Sequence, residues 1–471
     1  MTREFKHDAL LRVVKLLNVA LVAIPFLFIW VTYYNDKVYP YPYGIRSLTG
    51  FFFLFCVLYY VFGRIYDAFK VSLYRISEMA YSQVLSCFFA DAMMYIVTAL
   101  VTRKVPNLFP FLAILGCQSV LTTIWAFCAH KWYFSVFSPQ KTMIIYDMRE
   151  GMEQLISDYS LAGKFEVLSS LHIDDALKND LEEIRKTRPA VIFMCGVHSK
   201  ERNVILKYCV AEDILVYLIP RVGDVIMSSA WKMHMFHLPM LRVGRYRPNP
   251  EVVFLKRLID IFGSAAGMLV LSPIFLVTAM AIKAEDGGPI FYRQKRLTKD
   301  GKIFEVLKFR SMWTDAEKDG VARLSTGDND DRITKVGRII RKIRIDELPQ
   351  LINILRGDMS IVGPRPERPE IAEEYEKIMP EFSLRLQAKA GLTGYAQVYG
   401  KYNTTPYDKL QMDLMYIANP NLFEDFRIIF ATIKILFLPE STEGVAAGQT
   451  TAMDYENAVE SADYTEETTA K

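Results

Sequence analysis

The chain has 471 residues, of which 51% are hydrophobic and 23% are charged, and its formal net charge at pH 7 is +3. This composition excludes a chain that is disordered throughout, because disordered chains are poor in apolar residues and high in net charge. The mean hydropathy of +0.14 is high beside so many charged residues, which indicates that apolar and charged residues are concentrated in different segments. At roughly 100–200 residues per domain, the length predicts two to four structural units.

The first part of the chain contains four long apolar segments. They cover residues 16–34, 47–63, 81–102 and 105–130. Because a transmembrane helix needs about 20 mostly apolar residues, we predict a membrane α-helical bundle of four spans over residues 1–135. The distribution of Lys and Arg favours a cytoplasmic N-terminus and a return of the chain to the cytoplasm after the fourth span. Asp91 is the one charged residue in these segments. We expect it to be a neutral or paired helix-packing residue, and a contact to a lipid headgroup or a proton is the alternative.

Residues 136–249 have a different pattern. Four short apolar runs, which begin near residues 141, 165, 190 and 214, alternate with helical patterns. Strands that alternate with helices predict a parallel sheet, so we expect a Rossmann-like α/β domain here. The turn after the first run, from Asp147 to Gly151, lacks the G-x-G-x-x-G glycines that let a backbone approach a pyrophosphate. A structural or regulatory role is therefore favoured over dinucleotide binding.

A fifth apolar run, residues 262–282, is interrupted by Ser272-Pro273 and has basic residues on both sides. Because proline kinks a helix and basic flanks favour the cytoplasm, we predict a re-entrant helix over residues 256–283 that dips into one leaflet and returns. A kinked full span is the alternative. On this reading, replacing Pro273 by alanine favours a straight helix that crosses the membrane.

Histidine and cysteine are confined to the first half of the chain. All six histidines and all six cysteines lie within residues 7–237. The C-terminal half therefore cannot use a histidine base, a cysteine nucleophile or a Cys/His metal site. The cysteines lack metal-ligand spacing and are expected to be packed, reduced thiols.

The densest group of chemically informative residues lies between residues 332 and 367, where several arginines surround Asp346-Glu347. Pro349 is tolerated only in the first turn of a helix, so Asp346 is expected near a helix N-terminus, where free N–H groups favour a phosphate. Neighbouring helical side chains point about 100° apart, so the two carboxylates are expected to act differently. One can attack while the other orients, or both can reach one metal ion. The alternative is that Asp346 is only an N-cap.

These residues belong to a set of seven motifs that occur in one order. The motifs are Lys256-Arg257 with Asp260, Ser272-Pro273, Phe291-x-Arg293-Gln294-x-Arg296, Lys308-Phe309-Arg310-Ser311-Met312, Asp346-Glu347-Leu348-Pro349-Gln350, Gly363-Pro364-Arg365-Pro366-Glu367 and Gly391-Leu392-Thr393-Gly394. With them, residues 250–439 resemble the catalytic domain of bacterial monotopic phosphoglycosyl transferases, the polyprenyl-phosphate sugar-1-phosphate transferases. The whole chain resembles the large members of that family. Ala390 and Tyr395 depart from the family pattern, which usually has proline and tryptophan there.

The resemblance implies a mostly α-helical catalytic domain over residues 250–439 that transfers a sugar 1-phosphate from a UDP-sugar to undecaprenyl phosphate and releases UMP. Glucose and galactose are the leading candidate sugars. This reaction would be the first membrane step of exopolysaccharide, capsule or O-antigen synthesis, on the cytoplasmic face of the bacterial inner membrane. The implied partners are therefore the two substrates and the lipid bilayer, with a second copy of the chain as a homodimer and no nucleic acid.

The resemblance also implies roles for individual residues. Asp346 would be the nucleophile of a covalent phosphosugar intermediate, and Asp346 and Glu347 would bind Mg²⁺. The candidate substrate- and phosphate-binding residues are Arg365, Arg344, Arg341, Lys308, Arg310, Pro364 and Gln350. The residues expected to support the re-entrant helix are Ser272, Pro273, Lys256, Arg257 and Asp260.

Two other functions are compatible with parts of the sequence. A membrane-tethered nucleotide-sugar modifying enzyme built on the α/β domain would need a bound nicotinamide and usually a Tyr-x-x-x-Lys pair, and neither signal occurs in that stretch. A non-catalytic scaffold for polysaccharide assembly would leave the arginine and acid cluster unexplained. Residues 440–471 contain eight acidic residues and one lysine without periodicity, and we expect a disordered acidic tail there.

Overall fold

The structure is a computed structural model that describes residues 3–147, 149–178, 181–314, 332–400 and 404–436. The chain divides into two compact units, Met1–Ile219 and Pro220–Lys471. The division falls about 30 residues before the boundary expected from the sequence between residues 249 and 250. The predicted acidic tail, residues 440–471, lies outside the described residues.

The first unit begins with four long helices at the predicted apolar segments. They are α1 (Arg3–Ile29), α2 (Ile45–Ile65), α3 (Ile76–Thr102) and α4 (Phe109–Val136). Each is long and apolar enough to cross a membrane, α1 together with the helical turns that extend it to Lys37. Several apolar helices near the N-terminus are therefore confirmed, and their membrane topology stays a prediction.

The interior of these helices contains polar side chains. Asp91 on α3 is 5% exposed, and neither of its carboxyl oxygens has a hydrogen-bond partner among the described residues. Gln118 on α4 is fully buried, and its Oε1 lacks a donor within the same described part of the chain. The expected packed position of Asp91 is confirmed, but no ion-pair partner is found for it among the residues that the structure describes.

The rest of the first unit is a parallel α/β structure. Its elements are β1 (Gln140–Tyr146), α5 (Met152–Asp158), β2 (Phe165–His172), α6 (Ile173–Leu177), α7 (Glu182–Thr187), β3 (Val191–Cys195), α8 (Ser199–Ala211) and β4 (Leu215–Leu218). The strands form one sheet in the order β2-β1-β3-β4, and all three pairings are parallel. Met143, Ile145 and Ile192 are buried in its core. The predicted mixed α/β region is confirmed, and its Rossmann-like character stays a prediction.

The second unit is mostly helical, with short two-stranded sheets. Its elements are α9 (Val222–Ser228), β5 (Trp231–Met235), β6 (Leu238–Arg242), α10 (Pro250–Asp286), β7 (Phe291–Leu297), β8 (Ile303–Phe309), α11 (Lys335–Lys342), α12 (Gln350–Arg356), β9 (Ser360–Val362), α13 (Pro369–Ile378), β10 (Gly391–Thr393), α14 (Tyr395–Tyr399), α15 (Pro406–Ala418) and α16 (Leu422–Leu436). Strands β5–β6 and β7–β8 pair antiparallel, and β9–β10 pair parallel. Val222 and Val225 share a buried cluster with Leu410 and Leu414. This apolar contact between α9 and α15 is why the unit begins before residue 250.

Helix α10 contains the fifth apolar run, and it is uninterrupted from Pro250 to Asp286 with Pro273 inside it. The interruption expected at Ser272-Pro273 is therefore not a break in the helix. Pro273 has no N–H for the carbonyl of Leu269, four residues earlier. The Ser272 hydroxyl donates to that same carbonyl oxygen at 2.7 Å. The serine thus supplies the hydrogen bond that the proline removes.

Both ends of α10 are fixed to the second unit. Near its start, Arg257 donates to the carbonyl oxygens of Ile354 and Leu355 at 2.6 and 2.8 Å, at the end of α12. Asp260 accepts hydrogen bonds from the Ile361 N–H at 2.8 Å and the Ser360 hydroxyl at 3.1 Å. Lys256 also fixes the start of the helix, because its Nζ lies 2.7 Å from Asp425 Oδ2.

At the other end of α10, Glu285 accepts a hydrogen bond from the Lys335 N–H at 2.7 Å. The next residue, Asp286, pairs with the Arg310 guanidinium through both carboxyl oxygens. Ile282 packs in a buried cluster with Phe309 and Ile340. A single compact unit therefore binds the helix before and after Pro273.

Candidate active site

Asp346 and Glu347 lie in a short 3-10 turn, Ile345–Glu347, between α11 and α12. Arg344, which precedes the turn, has a φ of 54°, a left-handed conformation that is uncommon for a residue with a side chain. This conformation separates the turn from α11. Pro349 then stands at the N-cap position of α12. The predicted position of the carboxylate pair Asp346-Glu347, here called the dyad, beside a helix N-terminus is confirmed. The alternative that Asp346 is merely an N-cap is wrong, because Pro349 occupies that position.

Glu347 is held between two cations. Lys308 Nζ on β8 and Arg365 Nη2 donate to the same oxygen, Glu347 Oε1, at 3.2 and 3.0 Å. The Glu347 side chain is 13% exposed. Its burial alone would raise its pKa, but the charges of Arg365, Lys308 and Arg344 outweigh burial and hold the pKa of Glu347 well below its usual range. Glu347 is therefore a fixed anion at neutral pH.

Asp346 has a different environment. Its carboxyl group makes no hydrogen bond or ion pair with any described residue, and its side chain is partly exposed. Burial and the neighbouring charge of Glu347 raise the pKa of Asp346 above its usual range, against the opposing charges of Lys308, Arg341 and Arg365. In a 3-10 turn, successive side chains point about 120° apart, so the two carboxylates face different directions. Asp346 has free oxygen atoms in a cationic environment, which suits a nucleophile toward a phosphate.

The structure brings together four of the predicted phosphate-binding cations. Lys308 and Arg365 contact Glu347 directly. Arg341 and Arg344 act electrostatically on Asp346 and Glu347, respectively. These side chains come from β8, α11, the short connection between α11 and the 3-10 turn, and the loop after β9. They make the surroundings of the dyad strongly positive.

The other three predicted binding residues have structural contacts instead. The Arg310 guanidinium is committed to Asp286 and to the Pro289 carbonyl oxygen, which leaves it little capacity for a ligand. Gln350 is buried in the first turn of α12. Pro364 is buried, and its carbonyl oxygen accepts a hydrogen bond from the Gly391 N–H at 2.9 Å.

The loop that carries Arg365 is pinned by backbone contacts. The Gly363 N–H donates to the Thr393 carbonyl oxygen at 2.9 Å. A Cβ on Gly391 would come within 2.1 Å of the Gly363 nitrogen, so only glycine fits this close approach. The neighbouring Ala390, where the family usually has proline, uses its N–H to donate to Thr298 Oγ1 at 3.2 Å. That bond would be impossible for proline.

Sequence reasoning missed several residues around this loop as site residues. Arg296 donates to the Pro366 carbonyl oxygen at 3.1 Å and to Glu367 at 3.3 Å, and burial lowers the pKa of Arg296 to about 10. Lys409 on α15 lies close enough to Glu367 and Arg365 to interact with both, and burial lowers the pKa of its ammonium group. The only sequence signal for Lys409 is that it lies four residues before Asp413, on the same face of α15.

The carboxylates of Asp346 and Glu347 are candidate ligands for a magnesium ion. No group of three or more His, Cys, Asp or Glu side chains that could hold a metal ion occurs in the described parts of the chain. Mg²⁺ in phosphate-transfer sites is commonly held by one or two carboxylates, with the remaining ligands from substrate phosphates and water. Asp346 has uncommitted oxygen atoms, and both hydrogen bonds to Glu347 are made to Oε1. The donor set therefore fits a magnesium ion that is bound together with a substrate.

Comparison with known proteins identifies the family. The model described as "Bacterial sugar transferase" matches residues 252–439. The UDP-glucose:undecaprenyl-phosphate glucose-1-phosphate transferase of Caulobacter vibrioides is 39% identical over 43% of this chain and 76% of that protein. The exopolysaccharide production protein PSS of Rhizobium leguminosarum is 42% identical over 38% of this chain and 93% of that protein.

A longer relative is the UDP-N-acetylgalactosamine-undecaprenyl-phosphate N-acetylgalactosaminephosphotransferase of Aeromonas hydrophila. It is 36% identical over 49% of this chain, and the match spans about half of that protein, 54%. The matched range of the family model includes Asp346-Glu347, and its description agrees with the resemblance that the sequence carries. The chain therefore belongs to the bacterial sugar transferase family.

Proposed function

We propose that this protein transfers a sugar 1-phosphate from a UDP-sugar to undecaprenyl phosphate and so initiates the synthesis of a bacterial polysaccharide. The names of the Caulobacter and Aeromonas relatives support this acceptor and this class of donor. The observation that carries the proposal is the pairing of an uncommitted Asp346 with a Glu347 that Lys308 and Arg365 hold in place.

The first chemical step uses Asp346 as the nucleophile. One of its carboxylate oxygens attacks the phosphorus atom that is bonded to the sugar oxygen. The bond from that phosphorus to the bridging oxygen of the diphosphate breaks, and UMP leaves with the bonding electrons. The product is a phosphosugar ester of Asp346, an acyl phosphate that stays reactive toward a second phosphate.

In the second step, a phosphate oxygen of undecaprenyl phosphate attacks the same phosphorus atom. The acyl phosphate bond breaks, Asp346 regains its carboxylate, and the product is a polyprenyl diphosphate sugar. Arg365 and Lys308 offset the negative charge that accumulates where the phosphates meet, because Arg and Lys suit phosphate oxygens. Asp346 and Glu347 would hold Mg²⁺, which when bound neutralises phosphate charge and orients the diphosphate.

The attachment of α10 supports a location at one membrane face. The helix exposes large apolar side chains, among them Phe262, Leu269 and Val270, which are at least two-thirds exposed in the isolated chain. A straight span would place its two ends on opposite sides of the membrane, yet both ends are bound to the same unit. We therefore propose that α10 enters and leaves the cytoplasmic leaflet of the inner membrane, so that the dyad lies at the level of the lipid phosphate.

The test is release of UMP from UDP-sugars by membranes that contain undecaprenyl phosphate. Asp346→Asn is expected to lower release by at least about 1,000-fold, because the amide cannot act as the nucleophile. Glu370→Gln, which changes an exposed carboxylate of the same unit, is the matched control and should retain activity. Normal turnover by Asp346→Asn would refute the assignment of the nucleophile.

A further inference from the structure

A buried ion pair lies behind the loop that carries Arg365. Arg385, in the 3-10 segment Pro380–Gln387, donates through Nε and Nη2 to Asp413 Oδ2 on α15, at 3.0 and 2.6 Å. The two side chains are only 7% and 1% exposed. Burial of two charges is costly, and a buried ion pair by itself is weak evidence for a contribution to stability. The pair is thus a candidate for a role other than stability.

Arg385 makes one further hydrogen bond, which connects the pair to the active site. Its Nη2 donates to the backbone carbonyl oxygen of Arg365 at 2.9 Å. Arg365 Nη2 donates in turn to Glu347 Oε1 at 3.0 Å. A continuous series of polar contacts therefore runs from Asp413 through Arg385 and the Arg365 backbone to the catalytic dyad.

The geometry of the loop explains why this carbonyl matters. Arg365 lies between Pro364 and Pro366 in a segment without helix or strand, and prolines restrict the backbone on both sides of it. Three successive carbonyl oxygens of the loop each receive a separate donor. The Gly391 N–H donates to the carbonyl oxygen of Pro364. The Arg385 side chain donates to the carbonyl oxygen of Arg365, and the Arg296 side chain donates to the carbonyl oxygen of Pro366. The middle contact fixes the peptide from which the Arg365 side chain projects.

We propose that Arg385 and Asp413 are positioning residues that orient the Arg365 guanidinium toward Glu347 and toward the diphosphate of the donor substrate. Neither residue contacts the dyad itself. Asp413 holds the Arg385 guanidinium, and Arg385 holds the backbone of Arg365. The inference rests on the proposed function, because the readout is release of UMP.

The variants Arg385→Lys and Asp413→Asn change the pair with little loss of volume. Lysine has a single nitrogen and cannot reproduce the forked contacts to Asp413 and to Arg365. Asparagine keeps an acceptor but removes the charge that holds Arg385. Each variant is expected to lower kcat/KM for the UDP-sugar by about 10- to 100-fold. This is the scale of loss when a substrate-positioning side chain is displaced by about 1 Å.

A double-mutant cycle with Arg365→Ala separates positioning from general stability. If Arg385 acts through the Arg365 side chain, Arg385→Lys should lower kcat/KM by less than about 3-fold once that side chain is gone. The matched control is Asp286→Asn, which disrupts the arginine–aspartate pair Arg310–Asp286 elsewhere in the same unit. The effects of Asp286→Asn and Arg365→Ala on kcat/KM should multiply, because that pair does not contact the Arg365 loop.

Three results would overturn the inference. One is an effect of Arg385→Lys that is equally large with and without the Arg365 side chain. Another is wild-type kcat/KM in both single variants. The third is failure of both Arg385→Lys and Asp413→Asn to fold, measured by thermal unfolding, since the pair would then serve folding itself. If the wild-type protein released no UMP from any UDP-sugar, the proposed function would fail instead.

Discussion

Replacement of Pro273 by alanine tests how α10 is held at the membrane. The sequence pattern alone predicts that alanine would let the helix straighten and cross the membrane. The structure predicts the opposite result, because the contacts between the start of the helix and residues after Pro273 outweigh the gain. A proline inside a helix costs about 3 kcal/mol relative to alanine, so this is the largest gain that the substitution can offer.

The opposing free energy comes from the residues that a crossing would pull away from the second unit. Breaking the pair between Lys256 and Asp425 leaves the buried Asp425 carboxylate without its cation, at a cost of about 3–5 kcal/mol. Losing the hydrogen bonds that the buried Asp260 carboxylate accepts from Ser360 and Ile361 costs roughly 1.5–3 kcal/mol more. Together these losses exceed the gain from removing Pro273, so the variant should keep the wild-type topology.

The assay is labelling of intact cells with a membrane-impermeant maleimide. Lys302→Cys places a reporter thiol in the exposed turn between β7 and β8, in a background without the six native cysteines. This thiol should react only after permeabilisation, both with Pro273 and with Pro273→Ala. Lys37→Cys, in the predicted outside loop after the first helix, is the positive control. Labelling of the reporter thiol at position 302 in intact cells of the Pro273→Ala strain would refute this reasoning.

Three further predictions concern the metal, the helical bundle and the Arg365 loop. EDTA should stop UMP release and added Mg²⁺ should restore it. The dyad supplies only two carboxylates, so a cation is needed beside the negatively charged phosphates. Persistent activity in EDTA would show that Mg²⁺ has no part in the mechanism. Asp91→Asn should leave the midpoint of thermal unfolding unchanged or raise it, because an amide has no charge to bury. The exposed Asp36→Asn is the control, and a loss of several degrees confined to Asp91→Asn would contradict this account. Ala390→Pro should destabilise the protein by about 1–3 kcal/mol in denaturant unfolding, because it removes the donor to the buried Thr298 hydroxyl. In a Thr298→Val background most of that cost should disappear, and a cost that remained in full would show that the hydrogen bond is unimportant.

Signals that are local in the chain were sufficient for much of this protein. The lengths of the apolar segments predicted the helices α1 to α4, and the alternation of short apolar runs with helical patterns predicted the parallel sheet. Asp346-Glu347 could be recognised because the two acids and Pro349 are neighbours in sequence. The absence of histidine and cysteine after residue 237 already restricted the candidate nucleophiles to residues such as Asp346. These features depend on residues a few positions apart.

The partners of the charged side chains could be decided only by the tertiary structure. Lys308 and Arg310 lie two residues apart and looked equivalent, yet Lys308 contacts Glu347 and Arg310 is bound by Asp286. Arg385 gave no local signal, because its role depends on Asp413 and on the Arg365 carbonyl, which are 28 and 20 residues away. A hydrogen bond or ion pair depends on distance in space. Only the folding of distant segments against one another determines which cation reaches the dyad and which one supports the scaffold.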